Sequence, residues 1–427
     1  MKIYFIWVGW EKLYKLNYNI PPLGILRVAG ETPPAIPISS TDETVSPIDF
    51  DSDADVVALS FLTPAAGRAY AVATRFRQRG KYIVFGGTHA TIMAEQCSEY
   101  ADTVFIGEAE GLWARFLTDF SEGAPRKTYH HEQYPRLDNL APVPRHLLKN
   151  NIYPYESPFP VGIESVELSR GCTSRCAYCT VPFTQGPRFR NRPLAEIKAE
   201  FESTAHSGGI IFFTDNNLLG NKAFTRIALE ALIPFEKDWI GLLAPEETAS
   251  DPETLELMVR SGLCGIYGTV KAITGRETLQ ELATRSDSLK RLMDLGIVVI
   301  ATFALGWDDH DESVFDRTLA FCSHSGLQVP EFIINTPFPG SRLYKKYASE
   351  NRILTQDWGK YNGNYAVFQP AQMTPAQLES GYHHCYDQFY REVDRDKALF
   401  EGFRGRVMKA FIRAGKKSAG RKSVRRP

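Results

Sequence analysis

The sequence contains no apolar run that approaches the roughly 20 residues a membrane-spanning helix needs. Its first apolar run, residues 3–8, is too short for the apolar core of a signal peptide and is better explained as a first β-strand. We therefore expect a cytoplasmic protein without a membrane partner, in a compartment that keeps thiols reduced.

Cysteine is scarce and unevenly distributed. Four of the seven cysteines stand singly, and we expect each to be a small buried apolar residue; they are Cys97, Cys264, Cys322 and Cys385. The other three, Cys172, Cys176 and Cys179, form a C-x3-C-x2-C motif. Three thiolates are one fewer than a closed zinc or iron–sulfur site requires. A cluster held by these three would therefore keep one iron open for a small ligand.

A structural zinc site is the alternative use of the same three thiolates. It would need a fourth ligand, and the nearest histidine downstream is His206. No second C-x2-C pair follows, as a zinc ribbon would show. The motif therefore favours one iron–sulfur cluster over zinc.

The near-neutral net charge of −1 hides an asymmetry along the chain. Residues 404–427 carry ten Lys and Arg and no Asp or Glu, which leaves 39 basic against 50 acidic residues elsewhere. We interpret this basic tail as a solvated end, with docking to a partner as the alternative. The acidic body disfavours nucleic acid as the main substrate.

Strand and helix signals alternate over residues 1–125. Short β-branched runs at 2–8, 55–61, 81–87 and 102–107 are separated by helical spacing at 65–79 and 108–120. This alternation predicts a doubly wound, Rossmann-like parallel sheet with ligands at the carboxyl ends of its strands. The segment at 23–49 is short for a helix plus a strand, and the proline-rich residues 126–160 are predicted to be a linker.

The same rhythm resumes over residues 161–340. Six strand signals, with helical spacing between them, predict a partial (β/α)6 barrel; the strands are expected at 162–168, 209–214, 239–243, 265–270, 297–306 and 331–335. Chemistry in such barrels gathers where the strands end. The polar residues found there are Asp215, Asn216, Asn217, Glu246, Glu247, Lys271, Asp308 and Thr336. Residues 341–403 are predicted to be a helical region.

The cysteine segment resembles that of the radical S-adenosylmethionine (SAM) enzymes, including the aromatic Tyr178 before the third cysteine. The resemblance implies a 4Fe–4S cluster on Cys172, Cys176 and Cys179 whose open iron binds SAM. One electron then cleaves SAM to a 5′-deoxyadenosyl radical. The implied partners are a small-molecule substrate and an electron donor such as flavodoxin, ferredoxin or a dedicated reductase.

Further motifs match the same family. Asp215, Asn216 and Asn217 occupy the position of its motif for the SAM amino group, with Asn216 replacing a second acid. The run Gly306-Trp307-Asp308 resembles its G-F-D motif at strand five, which supports the adenosyl end. The run at residues 336–341 resembles T-P-x-P-G-T. The resemblance thus implies cofactor-binding roles for Tyr178, Asp215, Asn216, Asn217 and Asp308.

Residues 1–125 resemble the cobalamin-binding domain that precedes many radical SAM domains. The matching runs are Pro21-Pro22-Leu23-Gly24, Leu59-Ser60, Gly86-Gly87-Thr88-His89 and Ile106-Gly107-Glu108. Two observations count against bound cobalamin. The segment at 23–49 is short, and no D-x-H-x-x-G motif supplies a lower histidine ligand, which leaves His89 as a remote candidate.

Two reactions on a small natural-product substrate follow from this resemblance. The first is cobalamin-assisted C-methylation, and the second is a cobalamin-independent radical dehydration or deoxygenation of an aminosugar, as in antibiotic biosynthesis. Lys271 stands where the family usually carries a carboxylate, so we name it with Glu246 and Glu247 as candidate catalytic residues. RNA methylthiolation is disfavoured because residues 1–125 contain only Cys97 for a second cluster.

Overall fold

The computed structural model describes residues 1–14, 19–148, 162–204, 209–270, 273–391, 398 and 401–403. Lys271, His206, part of the predicted linker and the basic tail lie outside the described residues. Within these ranges no helix is both long enough and apolar enough to cross a membrane.

The amino-terminal part forms a six-stranded sheet in which all neighbouring strands are parallel. Its strands are β1 (Ile3–Trp7), β2 (Ile38–Asp42), β3 (Val56–Ser60), β4 (Tyr82–Gly86), β5 (Thr103–Ile106) and β6 (Thr128–His130). Its helices are α1 (Leu23–Gly30), α2 (Ala66–Arg77), α3 (Thr88–Ile92), α4 (Ala94–Cys97) and α5 (Leu112–Ser121). The spatial order is β2-β1-β3-β4-β5-β6.

Helices cover both faces of this sheet. Val57 packs with α2 residues such as Phe76, whereas its neighbour Val56 packs with α5 residues such as Trp113 and Phe116. Successive residues of β3 thus enter opposite cores, as the twofold repeat of a strand requires. The predicted doubly wound sheet is confirmed.

Two elements of this sheet differ from the sequence-based prediction. The segment at 23–49, which is short for a full helix plus a strand, contains both α1 and β2. Each is brief, with eight and five residues, so a compact segment suffices. The strand β6 lies inside the predicted linker, and its three residues give no periodic signal. It is an edge strand that pairs only with β5.

The second sheet has six parallel strands in sequential spatial order, which confirms the predicted partial (β/α)6 barrel. These strands are β7 (Ile163–Val166), β10 (Ile210–Phe213), β11 (Trp239–Leu242), β12 (Leu263–Thr269), β13 (Val298–Leu305) and β14 (Val329–Ile334). A separate antiparallel pair is formed by β8 (Ser169–Arg170) and β9 (Arg190–Asn191).

The helices of this part run from the cysteine segment to the carboxyl-terminal region. They are α6 (Val181–Thr184), α7 (Leu194–Ser203), α8 (Lys222–Leu232), α9 (Pro245–Ala249), α10 (Pro252–Arg260), α11 (Leu279–Asp294), α12 (Val314–Ser325), α13 (Arg342–Ser349) and α14 (Pro375–Phe389). A capping box formed by Thr374 and Gln377 begins α14, where Pro375 supplies the preset φ of a first helical residue.

The inner face of the barrel is apolar at its amino end. Ile163, Ile210 and Val329, each the first residue of its strand, share one buried cluster with Phe403. Because β7 and β14 are opposite edges of the sheet, contact within one cluster shows that this face is the interior. Phe403 of the carboxyl-terminal region therefore fills the amino end of the barrel.

The chain that follows β1 contacts both open edges of the barrel. On the β7 side, the Ser165 hydroxyl donates to the Pro21 carbonyl at 2.7 Å. On the β14 side, the Ile334 amide donates to the Gly363 carbonyl at 2.8 Å, and the Tyr14 amide donates to the neighbouring Asn364 side chain at 3.0 Å. Segments before residue 23 and after residue 360 thus occupy the seam between β7 and β14.

A buried ion-pair cluster holds the two sheets together. The Glu200 carboxylate on α7 accepts from Arg27 on α1 at 2.9 and 3.1 Å, from Arg145 at 3.1 Å and from Arg192 at 2.5 Å. Arg27 is only 1% exposed although it lies in an otherwise apolar helix. Glu200 thus pairs with three guanidinium groups at once, of which Arg27 also pairs with Glu167 and Arg145 with Glu164.

The substitution Glu200→Gln is expected to lower the free energy of unfolding by about 3–5 kcal/mol, because it removes the carboxylate that pairs with the buried Arg192 and a counter-charge shared by Arg27 and Arg145. The measurement is urea unfolding followed by circular dichroism. The control is Glu202→Gln, which removes an exposed carboxylate from the same helix and should change stability by less than about 0.5 kcal/mol. Equal losses in the two variants would contradict this assignment.

Candidate active site

The loop that carries the cysteines leaves the barrel after β7 and is closed at its base by the β8–β9 pair. Gly171 has a φ of +86°, and a Cβ at this position would lie 2.1 Å from the Arg188 carbonyl oxygen. Only glycine allows this approach of the two ends of the loop. Cys172 directly after it is buried, and its amide donates to the Gly186 carbonyl at 3.2 Å.

The three thiols of this loop are close enough to influence one another. Burial raises the pKa of the Cys179 thiol, and the neighbouring Cys176 and Cys172 raise it further, against a hydrogen bond from the Val181 amide that lowers it. Within the described part of the chain, no three His, Cys, Asp or Glu side chains lie close enough to hold a single metal ion. Three adjacent soft sulfur donors in one loop fit the corners of a 4Fe–4S cluster.

The cysteine loop meets the carboxyl ends of β12 and β13 through Tyr178. The Tyr178 ring lies 6.0 Å from that of Trp307, the residue before Asp308. Burial, and then Cys176, raise the pKa of its hydroxyl to about 12, while a hydrogen bond with Thr269 lowers it. Three segments singled out from the sequence are thus brought to one end of the barrel.

The Asp215 side chain is not accessible from this end of the barrel. It is fully buried, and its two carboxylate oxygens accept hydrogen bonds from the Leu168 amide at 2.9 Å, the Ser169 amide at 2.6 Å and the Ser169 hydroxyl at 2.6 Å. Burial raises its pKa to about 7, against these hydrogen bonds. Asp215 therefore fixes the start of the cysteine loop. Its predicted hydrogen bond to the SAM ammonium group stays a prediction.

The next two residues have different surroundings. Asn216 donates from its side-chain amide to Gln185 of the cysteine loop at 2.5 Å. Asn217 caps the 3-10 turn Leu218–Asn221 and accepts from the Leu219 amide at 3.1 Å. Of the three predicted SAM-binding residues, Asn216 is thus the one that contacts the cysteine loop through its side-chain amide.

Asp308 is held by two cations of the carboxyl-terminal region. It pairs with Lys346 at 2.5 Å and Arg352 at 2.6 Å, and the Tyr347 hydroxyl donates to it at 3.2 Å. Partial burial would raise its pKa, but Arg352 and Lys346 bring it down to about 2. These contacts give Asp308 a role in joining α13 to the end of β13, while its predicted support of the adenosyl group is untested.

The structure describes the surroundings of two of the three predicted catalytic residues. Glu246 in the first turn of α9 pairs with Arg285 on α11 at 2.7 Å, within the helical layer. Glu247 is exposed beside it. Lys271 follows β12 and lies outside the described residues. The catalytic roles of these three residues therefore stay predictions.

The structure reveals inward-facing polar residues that the sequence analysis did not select. Glu331 lies two residues after Val329, so it shares the inner face of β14, where it is fully buried and accepts from the Thr302 hydroxyl at 3.3 Å. Asn335, four residues after Glu331, is 3% exposed. Its side-chain amide nitrogen has no hydrogen-bond partner among the described residues. The available signal was an acid inside the apolar strand run Val329–Ile334.

Arg170 is a further residue that the sequence analysis did not select. Its guanidinium binds Glu167 at 2.8 and 2.9 Å, and it also binds Glu108 at 3.0 Å and Glu110 at 2.6 Å. Glu108 also pairs with Arg190 on β9. Since Glu108 follows β5, the base of the cysteine loop is clamped to the carboxyl edge of the first sheet. Burial would raise the pKa of Glu167, but Arg170 lowers it to about 2.

The carboxyl edge of the first sheet faces the cysteine loop. Helix α3, which follows the Gly86-Gly87 turn, contacts α6 of that loop. A Cβ at Gly107, whose φ is +82°, would meet no atom within 4 Å, and the same is true of Gly24. These glycines of the cobalamin-type motif leave open space at the edge, as close approach of a large ligand requires. The space beside Gly24 and Gly107 is compatible with a large ligand such as cobalamin at this edge.

His89 is not available at this edge. It is fully buried, its Nδ1 lies 3.3 Å from the Thr63 hydroxyl, and its Nε2 lies 3.1 Å from the Tyr70 hydroxyl. Burial lowers its pKa to about 4. Both ring nitrogens have protein partners, so the geometry does not support His89 as a cobalt ligand.

The substitution Asp215→Asn places an amide donor where one of the backbone amides needs an acceptor. We expect it to loosen the cysteine loop and to lower the iron bound per chain after anaerobic reconstitution by at least half. The measurement is iron content together with SAM affinity, and Asn217→Ala, in the same loop, is the control for iron content alone. Normal iron with weakened SAM binding would instead support the role implied by the motif.

Comparisons with known proteins agree with this geometry. The family model of the Radical SAM superfamily matches residues 166–322. Over 401 residues the chain is 25% identical to bacteriochlorophyllide d C-12(1)-methyltransferase of Chlorobaculum tepidum, covering 91% of this chain and 85% of that protein. It is 24% identical to hopanoid C-2 methylase of Rhodopseudomonas palustris, covering 82% and 68%.

A solved structure shares both sheets. The radical SAM methyltransferase TsrM from Kitasatospora setae, with cobalamin and a [4Fe–4S] cluster bound, superposes with a TM-score of 0.63 at 15% identity, covering 92% of this chain and 91% of that one. The Radical SAM superfamily model thus identifies a radical SAM domain at residues 166–322, and the fold of this chain over both sheets is similar to that of the TsrM structure.

Proposed function

We propose that the protein catalyses cobalamin-assisted C-methylation of a small molecule, using SAM and a 4Fe–4S cluster. The observation that carries this proposal is the clamp of Arg170 to Glu108 and Glu110, which sets the glycine edge of the first sheet against the cysteine loop. A methyl carrier and a radical generator must act on one substrate, and this arrangement puts their two candidate sites side by side.

Cys172, Cys176 and Cys179 would hold the cluster, and Gly24 and Gly107 leave room for cobalamin. When bound, the cluster supplies the electron that cleaves SAM, and cobalamin supplies a methyl group. The chain's own residues bind and orient these groups: Asp215 and Arg170 fix the two ends of β8, and Tyr178 spans the gap to β12 and β13.

The inner face of β14 is the proposed substrate wall. The Glu331 carboxylate accepts from the Thr302 hydroxyl there, and the side-chain amide of Asn335, directly after the strand, has no partner among the described residues. A buried amide donor without a partner favours a ligand that brings a hydrogen-bond acceptor. The alternative reaction is radical dehydration of an aminosugar. An external protein is required as electron donor, and nucleic acid stays a disfavoured partner.

Replacing any one of Cys172, Cys176 or Cys179 by Ala is expected to abolish both the visible absorption of the cluster and 5′-deoxyadenosine formation. Each supplies one of only three thiolates, so no ligand can compensate. The control is Cys322→Ala, a buried cysteine of α12, which should retain its iron. Turnover in any of the three variants at the level of the unchanged protein would contradict the proposal.

Cobalamin binding is tested separately with a matched pair of glycines. Gly107 and Gly123 have φ angles of +82° and +75°, and at both a Cβ would meet no atom within 4 Å. Each Gly→Ala change should therefore lower the free energy of unfolding by a similar amount, roughly 1–2 kcal/mol, because alanine is strained in the left-handed backbone conformation. Only Gly107→Ala, at the edge that faces the cysteine loop, is expected to lower the cobalamin retained after anaerobic purification, measured by absorption.

Iron content should be the same in both glycine variants. If the unchanged protein retains no cobalamin while it forms 5′-deoxyadenosine, methylation is overturned in favour of the cobalamin-independent reaction. A methyl group labelled with deuterium in SAM and recovered in the product would exclude that alternative.

A further inference from the structure

We propose that an exposed basic surface around the cysteine loop docks an acidic one-electron carrier protein of the flavodoxin or ferredoxin type. We call this surface the cluster face and define it by Arg175, Phe183, Arg188, Arg342 and Lys345. The inference rests on the proposed function, because it concerns delivery of the electron that cleaves SAM.

The cysteine loop is basic, whereas residues 1–403 as a whole are acidic. Residues 168–195 contain five Arg and no Asp or Glu, whereas residues 1–403 as a whole carry 39 basic and 50 acidic residues. Arg170 and Arg192 are buried in ion pairs, and Arg190 pairs with Glu108. Arg175 and Arg188 are exposed, so their charge faces solvent next to the cysteines.

Helix α13 adds two more cations to the same surface. The Leu343 amide donates to the Ala177 carbonyl at 2.8 Å, and the Arg342 guanidinium donates to the Arg175 carbonyl. The Lys345 ammonium lies 5.5 Å from the centre of the Phe183 ring. Lys346, next to Lys345, does not add to the positive charge of this surface because it pairs with Asp308. Residues from both elements therefore form one continuous surface.

Phe183 gives the cluster face an apolar centre. Its ring is 47% exposed in α6, two residues after the Val181 amide that hydrogen-bonds Cys179. An aromatic centre with a charged rim is the usual anatomy of a protein interface, and transient redox partners use small ones. Positive charge on this rim attracts an acidic carrier and orients it before contact.

The redox step is simple and balanced. One electron leaves the reduced flavin or iron–sulfur centre of the carrier, which is oxidised, and enters the cluster, which is reduced; no bond forms or breaks. Because electron transfer falls off steeply with distance, the carrier must bind next to the cysteines. The cluster face satisfies this requirement because Arg175 lies in the cysteine motif itself and the Arg188 backbone contacts Gly171.

The test compares two charge-neutralising pairs in the full chain. Arg188→Gln with Lys345→Gln removes two charges from the cluster face. Lys81→Gln with Lys127→Gln removes two charges that directly precede β4 and β6, at the opposite edge of the first sheet. The readout is the Kd for a purified acidic flavodoxin, measured by titration calorimetry with the reconstituted protein and again without the cluster.

We expect the first pair to raise the Kd at least tenfold at low ionic strength, and the second pair to change it less than twofold. The difference should shrink as salt is added, because the Debye length falls from about 10 Å at 0.1 M to about 3 Å at 1 M. Lys345→Arg, which keeps the charge, should bind the flavodoxin as tightly as the unchanged protein does.

A second readout separates docking from the chemistry. Formation of 5′-deoxyadenosine driven by the reduced flavodoxin should fall at least tenfold more in the Arg188→Gln, Lys345→Gln variant than formation driven by dithionite. Equal losses with both reductants, equal losses in both charge pairs, or tighter binding of an RNA oligonucleotide than of flavodoxin would overturn the proposal. These outcomes do not depend on whether the product is methylated, so failure here is distinct from failure of the proposed function.

Discussion

The arrangement of the whole site depends on charges buried between the two sheets. Arg27 joins Glu200 to Glu167, and Glu167 in turn binds Arg170, so a continuous chain of ion pairs runs from α1 to the cysteine loop. Burying such charges costs several kcal/mol per ion in desolvation, which the pairing only offsets. We therefore regard the network as specifying one relative position of the sheets rather than as adding stability. Two apolar surfaces can shift against each other at little cost. The Arg170 guanidinium, which pairs with three carboxylates, would lose these ion pairs if the sheets shifted.

Much of the fold follows from the sequence because its elements are local. All six barrel strands are found where strand signals predicted them, and the C-x3-C-x2-C motif marked the cysteine loop without any structure. Short elements without periodicity, such as β6, could not be predicted in this way. The roles of polar side chains were harder still. A motif gives the position of Asp215 but not the direction of its oxygens, which here are used by Ser169 and Leu168.

The ion pairs of Arg170 likewise could not be predicted from the sequence, because they join residues far apart in the chain. Arg170 in β8 and Glu108, which follows β5, lie 62 residues apart, so no local pattern connects them. Both are parts of runs that the sequence had already marked, one before the first cysteine and one after β5. Their partnership is a property of the assembled molecule. The buried acid of β14 is similar: Glu331 lies within a run that predicts a strand, yet its inward direction is set by the alternation of β14 as a whole.

The seam of the barrel has a consequence for how the protein folds. Residues near the start of the chain, such as Tyr14 and Pro21, complete a barrel whose last strand ends more than three hundred residues later, and Phe403 fills its far end. Contacts between such distant residues form slowly, because long loops must close before any of them can be made. The two sheets therefore do not fold as independent domains joined by a linker. During synthesis the amino-terminal segment cannot make these contacts until nearly the entire chain has been made. A barrel that begins at residue 161 would lack the amino-terminal segment that occupies the seam between β7 and β14.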